Sequence, residues 1–512
     1  MPFGGRPSDA CEPCRKGRLR CDRVRPSCTQ CLRKSITCFG YREVSLLLFK
    51  DESESTARKQ MLNHGLDHVP NCSALDIMLS PSCSPTPSYN ELALGYFMSS
   101  YVPASPFDYL PKTYNIIAST AQNAVSSSVL AASFASLSLH VGSDELMAYA
   151  RTHYSKALSR TNVALASPDT AKLDSSLVSV LLLGFYEAIA FSGQQSPTSW
   201  TAHTLGAVAL IRLRGTKQLE TSLGQQLFLQ TCNNIRSSCI QRSVTVPDEF
   251  LRLYEQAKPF LDPKSPHVLI GPLLDKIASF KSRLPGIRGQ VPKMHGIVCE
   301  ALQLEEEAQV VDKMLSHKWR YQVKPLHMVP PSAYQGLAHQ YPAHFMVRHW
   351  NNIRLIRLFM KEVVWGVAAF VARAKEQGMP EIFRYCNDLD TAALQAAASA
   401  NHTQIVADIL ATTPHFLDYN GMTFTPAARF LIWPLTVLVE LAMTPEPARR
   451  YAIKCLCDIA SQARIPQALQ AVKAVESKSS TDWWATMFFL CFVLTFMCVL
   501  TILFRIHLSL LG

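Results

Sequence analysis

The sequence of 512 residues lacks the short motifs that mark the commonest enzyme classes. It has no Walker loop, no HExxH, no GxSxG and no glycine-rich dinucleotide turn. Charged residues make up only 17% of the chain, whereas 48% of the residues are hydrophobic. That composition is typical of globular rather than disordered chains. We therefore expect a folded protein that is not an enzyme.

An apolar leader is also missing from the N-terminus, which reads MPFGGRPSDA. A secretory signal peptide needs an apolar stretch, so we expect the chain to stay outside the secretory route. Disulfide frameworks belong to secreted chains. A disulfide framework therefore accounts poorly for the cysteines that follow.

Six of the 16 cysteines lie within 28 residues, in two halves that each read C-x2-C-x6-C. The second half copies the first at an offset of 17, and the six positions are Cys11, Cys14, Cys21, Cys28, Cys31 and Cys38. A C-x2-C pair suits tetrahedral zinc, because two thiolates on one tight turn reach the same ion. Two separate ions would need eight ligands, and no histidine lies among the six cysteines. Two thiolates must then bridge, one from each half, which predicts a cluster of two zinc ions.

A redox motif and a metal store both account less well for these cysteines. A redox C-x-x-C usually occurs alone and on a βαβ pattern. A metallothionein-like store would repeat cysteines along the whole chain, whereas this chain concentrates them near one end. The pattern therefore favours the metal cluster.

Basic residues surround the cysteines. Residues 1–50 contain 11 Lys and Arg against 4 Asp and Glu, a net charge of +7, whereas the whole chain has +11. Between the second and third cysteines the chain reads RKGRLR, which places cations at Arg15, Lys16, Arg18 and Arg20. Such a run can be a solvated face, but cations on a short helix beside a zinc turn suit contact with DNA phosphates. We therefore predict a nucleic-acid interface at these four residues.

The cysteine spacing and Pro26, in the loop between the halves, resemble the fungal C6 zinc cluster transcription factors. The resemblance implies that Cys11 and Cys28 bridge two zinc ions. It implies that the remaining ligands pair as Cys14 with Cys21 and Cys31 with Cys38. It also implies a helix in the major groove that reads CGG-like triplets through Arg18. The preceding position, often basic in the family, is Gly17 here.

After the cluster, residues 39–90 read as a linker, and its last eleven residues, SPSCSPTPSYN, contain three prolines. From residue 91 to 480 the apolar residues recur at helical spacing. In HWNNIRLIRLFMKEVVWGVAAFVARAKEQGMP the apolar stripe predicts a long helix that ends at Gly378 and Pro380. Its members are Ile353, Ile356, Met360, Val363 and Val367.

Several stretches after the cluster also resemble the fungal-specific transcription factor domain. They are YREVSLLLFKDESES just after the cluster, residues 200–215, LGQQLFLQ at 223–230, WNNIRLIRL at 350–358, IVADILATTPHFL at 405–417 and IWPL at 432–435. The resemblance implies a large all-α regulatory domain that contacts transcription machinery or co-regulators. The expected fold is thus a tail at residues 1–10, a small zinc-stabilised two-helix domain at 11–38, the linker, and the helical domain.

A run of 22 residues without charge, WWATMFFLCFVLTFMCVLTILF, occupies positions 483–504. As a helix it would be about 33 Å long, enough to span the hydrocarbon core of a bilayer. It predicts a single transmembrane helix, which would tether the protein to the nuclear envelope or the endoplasmic reticulum. The alternatives are a last buried helix of the regulatory domain or a translated intron.

Two functions follow from these observations. The first is a nuclear, zinc-dependent, sequence-specific DNA-binding regulator of RNA polymerase II transcription. The alternative is a membrane-tethered signalling or scaffold protein whose zinc module binds protein or is a latent DNA-binding unit. The segment after the cluster does not sustain an a/d heptad over three repeats, so we expect weak or no dimerisation through it.

Overall fold

The computed structural model describes residues 10–17, 19–24, 26–38, 88–118, 124–190, 198–284 and 290–476. The chain divides into two compact units, residues 1–86 and 87–512. Each unit is described by itself below.

The first unit has two short helices, α1 (Glu12–Lys16) and α2 (Thr29–Arg33), one in each half of the cysteine repeat. The side chains of Cys11, Cys14, Cys28 and Cys31 are at most 1% exposed. They are the only buried side chains of residues 10–38 among those whose surroundings the structure describes. A core made of four thiols has almost no apolar surface to remove from water, so this unit needs bonds to a metal to be stable.

The second unit is helical over its described length. Its helices are α3 (Tyr89–Tyr96), α4 (Leu110–Ile117), α5 (Ala124–Val141), α6 (Asp144–Leu165), α7 (Pro168–Ala171), α8 (Asp174–Ala190), α9 (Thr198–Arg214), α10 (Ser222–Arg242), α11 (Asp248–Ala257), α12 (Pro266–Arg283), α13 (Val291–Met314), α14 (His344–Glu376), α15 (Pro380–Tyr385), α16 (Thr391–Ser399), α17 (His402–Leu410), α18 (Arg429–Glu440), α19 (Glu446–Gln462) and α20 (Pro466–Glu476). The described strands, β1 (Gln322–Val323) and β2 (His339–Gln340), form one antiparallel pair. The prediction of an all-α domain is therefore confirmed.

The helical unit begins with a capping box. Ser88 accepts a hydrogen bond from the backbone N–H of Glu91, and the Glu91 carboxylate accepts one from the Ser88 N–H. This reciprocal pair satisfies two N–H groups that the first turn of a helix leaves without partners. Helix α3 therefore starts at Tyr89, two residues before the predicted boundary at residue 91.

The predicted long helix is α14, which has 33 residues and a length of about 50 Å. Its apolar stripe is buried, as expected, and the helix contacts α13, α16 and α17 and, to a smaller extent, α15 and α18. Gly378 follows the helix with φ +69°, a left-handed conformation that glycine adopts without steric cost. Pro380 then begins α15. The end of the helix is thus explained by the two residues that predicted it.

The remaining helices pack mostly against their neighbours along the chain. Helix α5 contacts α3, α6 and α8, and α8 contacts α9 and α10. Helix α10 contacts α12, and α18 contacts α19 and α20. The buried apolar side chains described for the unit join in one continuous core. Burial at about 25 cal/mol per Å² of apolar surface is the main source of its stability.

One described helix, α5, is long and apolar enough to cross a membrane, but 67% of its residues are buried inside the protein. That burial is typical of a core helix. The predicted transmembrane segment at residues 483–504 lies outside the described residues.

Candidate metal centre and nucleic-acid interface

The structure brings the six predicted cysteines together. Three pairs of sulfur atoms lie 3.6 Å apart, namely Cys11 with Cys28, Cys11 with Cys31, and Cys14 with Cys28. The sulfur atoms of Cys21 and Cys11 lie 3.8 Å apart. Zn–S bonds of about 2.3 Å in a tetrahedron place neighbouring sulfurs about 3.8 Å apart. The observed separations therefore fit sulfur atoms that share a zinc ion.

The six sulfurs form two overlapping sets of four. One set is Cys11, Cys14, Cys21 and Cys28, and the other is Cys11, Cys28, Cys31 and Cys38. Within each set the sulfur atoms all lie within 4.8 Å of one another. Cys11 and Cys28 belong to both sets. Four ligands are the usual number for a closed structural zinc site, so each set can hold one ion.

Burial opposes the ionisation of these thiols. Burial raises the pKa of Cys14 to about 12 and also raises the pKa values of Cys11 and Cys31. Burial also acts to raise the pKa of Cys28, but hydrogen bonds from Cys31, Cys14 and Cys11 together outweigh it, and the pKa falls to about 6. A buried group of thiolates without a cation would repel one another. A bound divalent cation removes that repulsion and holds the sulfurs as thiolates.

Cys28 has a second role as the N-cap of α2. Its sulfur accepts a hydrogen bond from the backbone N–H of Cys31, with N···S 3.4 Å. The Asp22 carboxylate accepts from the backbone N–H of Thr29 at 3.1 and 3.2 Å, which satisfies another N–H at the same helix end. Sequence reasoning missed Asp22, because an acid seven residues before a helix matches no capping pattern. The available signal was its place directly after the third cysteine.

The predicted DNA-contact residues differ in how fully the structure describes them. Lys16 ends α1, and Lys16 and Arg20 are exposed. Arg15 lies within α1, whereas Arg18 lies outside the described residues. The sequence had suggested that the helix covers the whole RKGRLR run. The helix ends before Gly17, however, so it covers only the first two cations. The backbone N–H of Gly17 donates to the Pro13 carbonyl, which closes the last turn of α1.

Comparison with known families agrees with this geometry. Residues 9–46 match the fungal Zn(2)-Cys(6) binuclear cluster domain. Residues 79–243 match the fungal specific transcription factor domain. No curated protein and no solved structure matches the chain significantly.

The cysteine geometry and the first of these matches define a zinc cluster regulator of transcription, a class of protein that binds DNA. The chain thus carries, in this order, a region similar to the binuclear cluster domain and a region similar to the fungal specific transcription factor domain.

Proposed function

We propose that this protein is a nuclear, zinc-dependent regulator of RNA polymerase II transcription that recognises a specific DNA sequence. The observation that carries the proposal is the pair of four-cysteine sets that share Cys11 and Cys28. Exposed cations follow Cys14 in the first half, at Lys16 and Arg20. A rigid metal centre with cations on one side is suited to hold a short basic segment against DNA.

Two zinc ions occupy the six cysteines in this proposal. Cys11 and Cys28 contact both ions, which accounts for six ligands where two separate sites need eight. Cys14 and Cys21 complete one site, and Cys31 and Cys38 complete the other. The zinc ions supply the bonds that hold the two short helices together, because the described part of this unit has no apolar core.

The four cations divide into two roles. Arg15, Lys16 and Arg20 neutralise phosphates, which positions the module without reading sequence. Arg18 reads guanine in a CGG-like triplet through two hydrogen bonds to O6 and N7 in the major groove. Gly17 lacks a side chain and leaves the base contact to Arg18.

The helical unit supplies the regulatory contacts in this proposal. Its described helices, from Tyr89 to Glu476, correspond to the region predicted at residues 91–480. It binds co-regulators or transcription machinery, while residues 39–87 connect it to the zinc module.

Selection of binding sites from random duplex DNA tests the proposal. The full chain, loaded with zinc, should enrich sites that contain a CGG-like triplet. The Arg18→Ala variant should enrich none, although it keeps its metal. If the zinc-loaded chain bound no DNA with sequence preference, the proposal would fail, and a protein-binding role would describe the module better.

A further inference from the structure

A polar cluster lies inside the helical unit where α10, α12 and α14 come together. We call it the Arg348 cluster, and its members are Asn233, His267, Arg348 and His349. The side-chain nitrogen of Asn233 lies 3.1 Å from Nδ1 of His267. The rings of His267 and His349 have centroids 6.2 Å apart and are almost perpendicular, at 86°. Three helices thus direct hydrogen-bonding groups to one place.

Arg348 has no hydrogen bond to any described residue, and its Nε is buried without a partner. Its guanidinium lies over the ring of Phe430, 4.9 Å from the centroid. Nε2 of His349, a side chain that is 4% exposed, is also buried without a partner. Buried polar atoms usually have partners, so two unsatisfied groups in one cluster point to a ligand that supplies them.

Two interior arginines of the unit are bonded to neighbouring side chains. Arg236 makes two hydrogen bonds to Asp275, and Arg354 donates to the Tyr341 hydroxyl and to the Asn351 side chain. Arg348 differs from both, because the N–H groups of its guanidinium have no hydrogen-bond acceptor in the described part of the chain.

Arg348 and His267 are desolvated although both keep part of their surface accessible. Burial lowers the pKa of Arg348 to about 10 and that of His267 to about 4, and both residues are half-buried. A ligand from solution can therefore reach both side chains.

No acidic side chain within the described residues hydrogen-bonds to the Arg348 cluster. The exposed Asp108 acts on Arg348 through its charge, without a hydrogen bond. The internal gaps of the unit, residues 119–123, 191–197 and 285–289, contain no Asp or Glu. A half-buried cation with no bonded counter-charge is costly and favours an anion from solution.

We propose that the Arg348 cluster binds a small organic anion through a carboxylate group. The guanidinium donates two parallel hydrogen bonds to the carboxylate oxygens, the geometry that arginine and carboxylate share. His267, His349 and the Asn233 amide offer further donors, and the Phe430 ring covers the opposite face of the guanidinium. The proposal extends the regulatory role of the helical unit to a chemical class of effector, yet its test does not depend on DNA binding.

Thermal unfolding of the zinc-loaded full chain tests the proposal, with succinate and benzoate as probes at constant ionic strength. A ligand that binds the folded state alone raises the unfolding midpoint of the helical unit in a saturable way. Succinamide, which lacks the charges of succinate, should leave the midpoint unchanged. Inorganic phosphate distinguishes the chemistry of the anion, because a response to phosphate without one to the carboxylates would overturn the carboxylate assignment.

Two variants and one control locate the site. Arg348→Met removes the charge at similar side-chain length. It should weaken binding of the probe by about thirtyfold or more, which is the usual loss when one partner of a buried charge pair is truncated. Asn233→Asp keeps the shape but adds a negative charge, and it should also abolish the response; it decides the matter if Arg348→Met does not fold. Arg450→Met removes a cation that is 72% exposed on α19 and should respond like the unchanged protein.

The proposal fails on either of two outcomes. The unchanged protein could show no saturable response to succinate or benzoate. Alternatively, a folded Arg348→Met or Asn233→Asp variant could respond as strongly as the Arg450→Met control.

Discussion

Arg236 on α10 donates two hydrogen bonds to Asp275 on α12, from Nε at 2.8 Å and from a terminal nitrogen at 2.9 Å. The arginine side chain is fully buried, and its guanidinium carbon lies 4.0 Å from the centroid of the Tyr254 ring. A Cβ at Gly271 would lie 2.9 Å from Nη1 of this arginine. The close approach of α12 to the guanidinium thus favours glycine, and the pair joins two helices that contact each other directly.

We expect Asp275→Asn to lower the free energy of unfolding by about 3–5 kcal/mol, because it leaves the buried Arg236 charge without its partner. The neighbouring Lys276 provides a matched control, since it pairs with Glu307 at a side-chain exposure of 54%. Lys276→Gln should cost about 0–1 kcal/mol. Denaturation in guanidinium chloride compares the two variants. Similar losses in both would show that the buried pair contributes no more than a surface pair.

Single cysteine replacements should differ in how many zinc ions they remove. Cys11→Ser and Cys28→Ser change a ligand that belongs to both four-cysteine sets, so we expect each to weaken both sites. Cys14→Ser changes a ligand of one set and should leave a single ion bound. Native mass spectrometry counts the ions. One ion bound to the unchanged protein, or an equal loss in Cys11→Ser and Cys14→Ser, would contradict the shared-ligand assignment.

Chelation should unfold the first unit and spare the second. The zinc module buries thiols in place of an apolar core, whereas the helical unit has a continuous apolar core of its own. Hydrogen exchange read by mass spectrometry should therefore show loss of protection in residues 10–38 and none in α14. Protection of residues 10–38 that survives removal of the metal would refute the role assigned to zinc.

Arg18 and Arg20 should affect DNA binding differently. Arg18→Ala should cost about 1–3 kcal/mol on a CGG-type site and little on random DNA. Arg20→Ala should weaken binding to both and reduce the salt slope by about one. Paired titrations at a series of salt concentrations measure both quantities. Equal losses on the two DNAs for Arg18→Ala would place Arg18 among the phosphate contacts.

The helical unit should lose stability as pH falls below about 6.5, the pKa of an unfolded histidine. Burial lowers the folded-state pKa of several histidines: His140, His153, His267, His339, His344, His349, His402 and His415. The unfolded chain then binds protons that the folded chain does not, so the stability that these groups contribute is present above pH 6.5 and is lost below it. The slope is up to about 1.4 kcal/mol per pH unit for each histidine.

Two acids of the helical unit act in the opposite direction. Burial raises the pKa of Glu362 to about 7 and that of Glu440 well above its usual value. As pH falls, the folded chain protonates these two acids before the unfolded chain does. Above pH 4.5 they therefore offset the stability lost through two of the histidines. The net loss between pH 6.5 and pH 4.5 remains, and Glu362→Gln should steepen it. Urea denaturation across this range checks the sign; a constant or rising free energy of unfolding would contradict it.

The sequence was sufficient to predict the fold and the site where a residue type has a single structural role. The six cysteines predicted their own grouping, because zinc fixes the distances between its ligands. The apolar stripe of α14 predicted its buried face, and Gly378 predicted its end. The S-x-x-E pattern at Ser88 and Glu91 could also have placed the first helix of the unit correctly.

Other features depend on contacts that no local pattern carries. The end of α1 at Lys16 and the bond from Thr29 to Asp22 are set by the path of the chain around the sulfurs. The Arg348 cluster depends on three helices that are distant in sequence, from Asn233 to Arg348. Composition alone cannot distinguish Arg348 from the bonded Arg236.

The unequal burial of the six sulfurs sets the order in which an oxidant reaches them. Cys11 and Cys28 are buried, whereas Cys21 and Cys38 are only partly buried. Oxidation follows exposure and thiolate character, so the two outer sulfurs react first. Each outer sulfur belongs to one four-cysteine set, and its loss leaves the other set complete. Damage to the module is therefore stepwise, and a sulfenic acid at Cys21 or Cys38 can be reduced back to the thiol before the second set is lost.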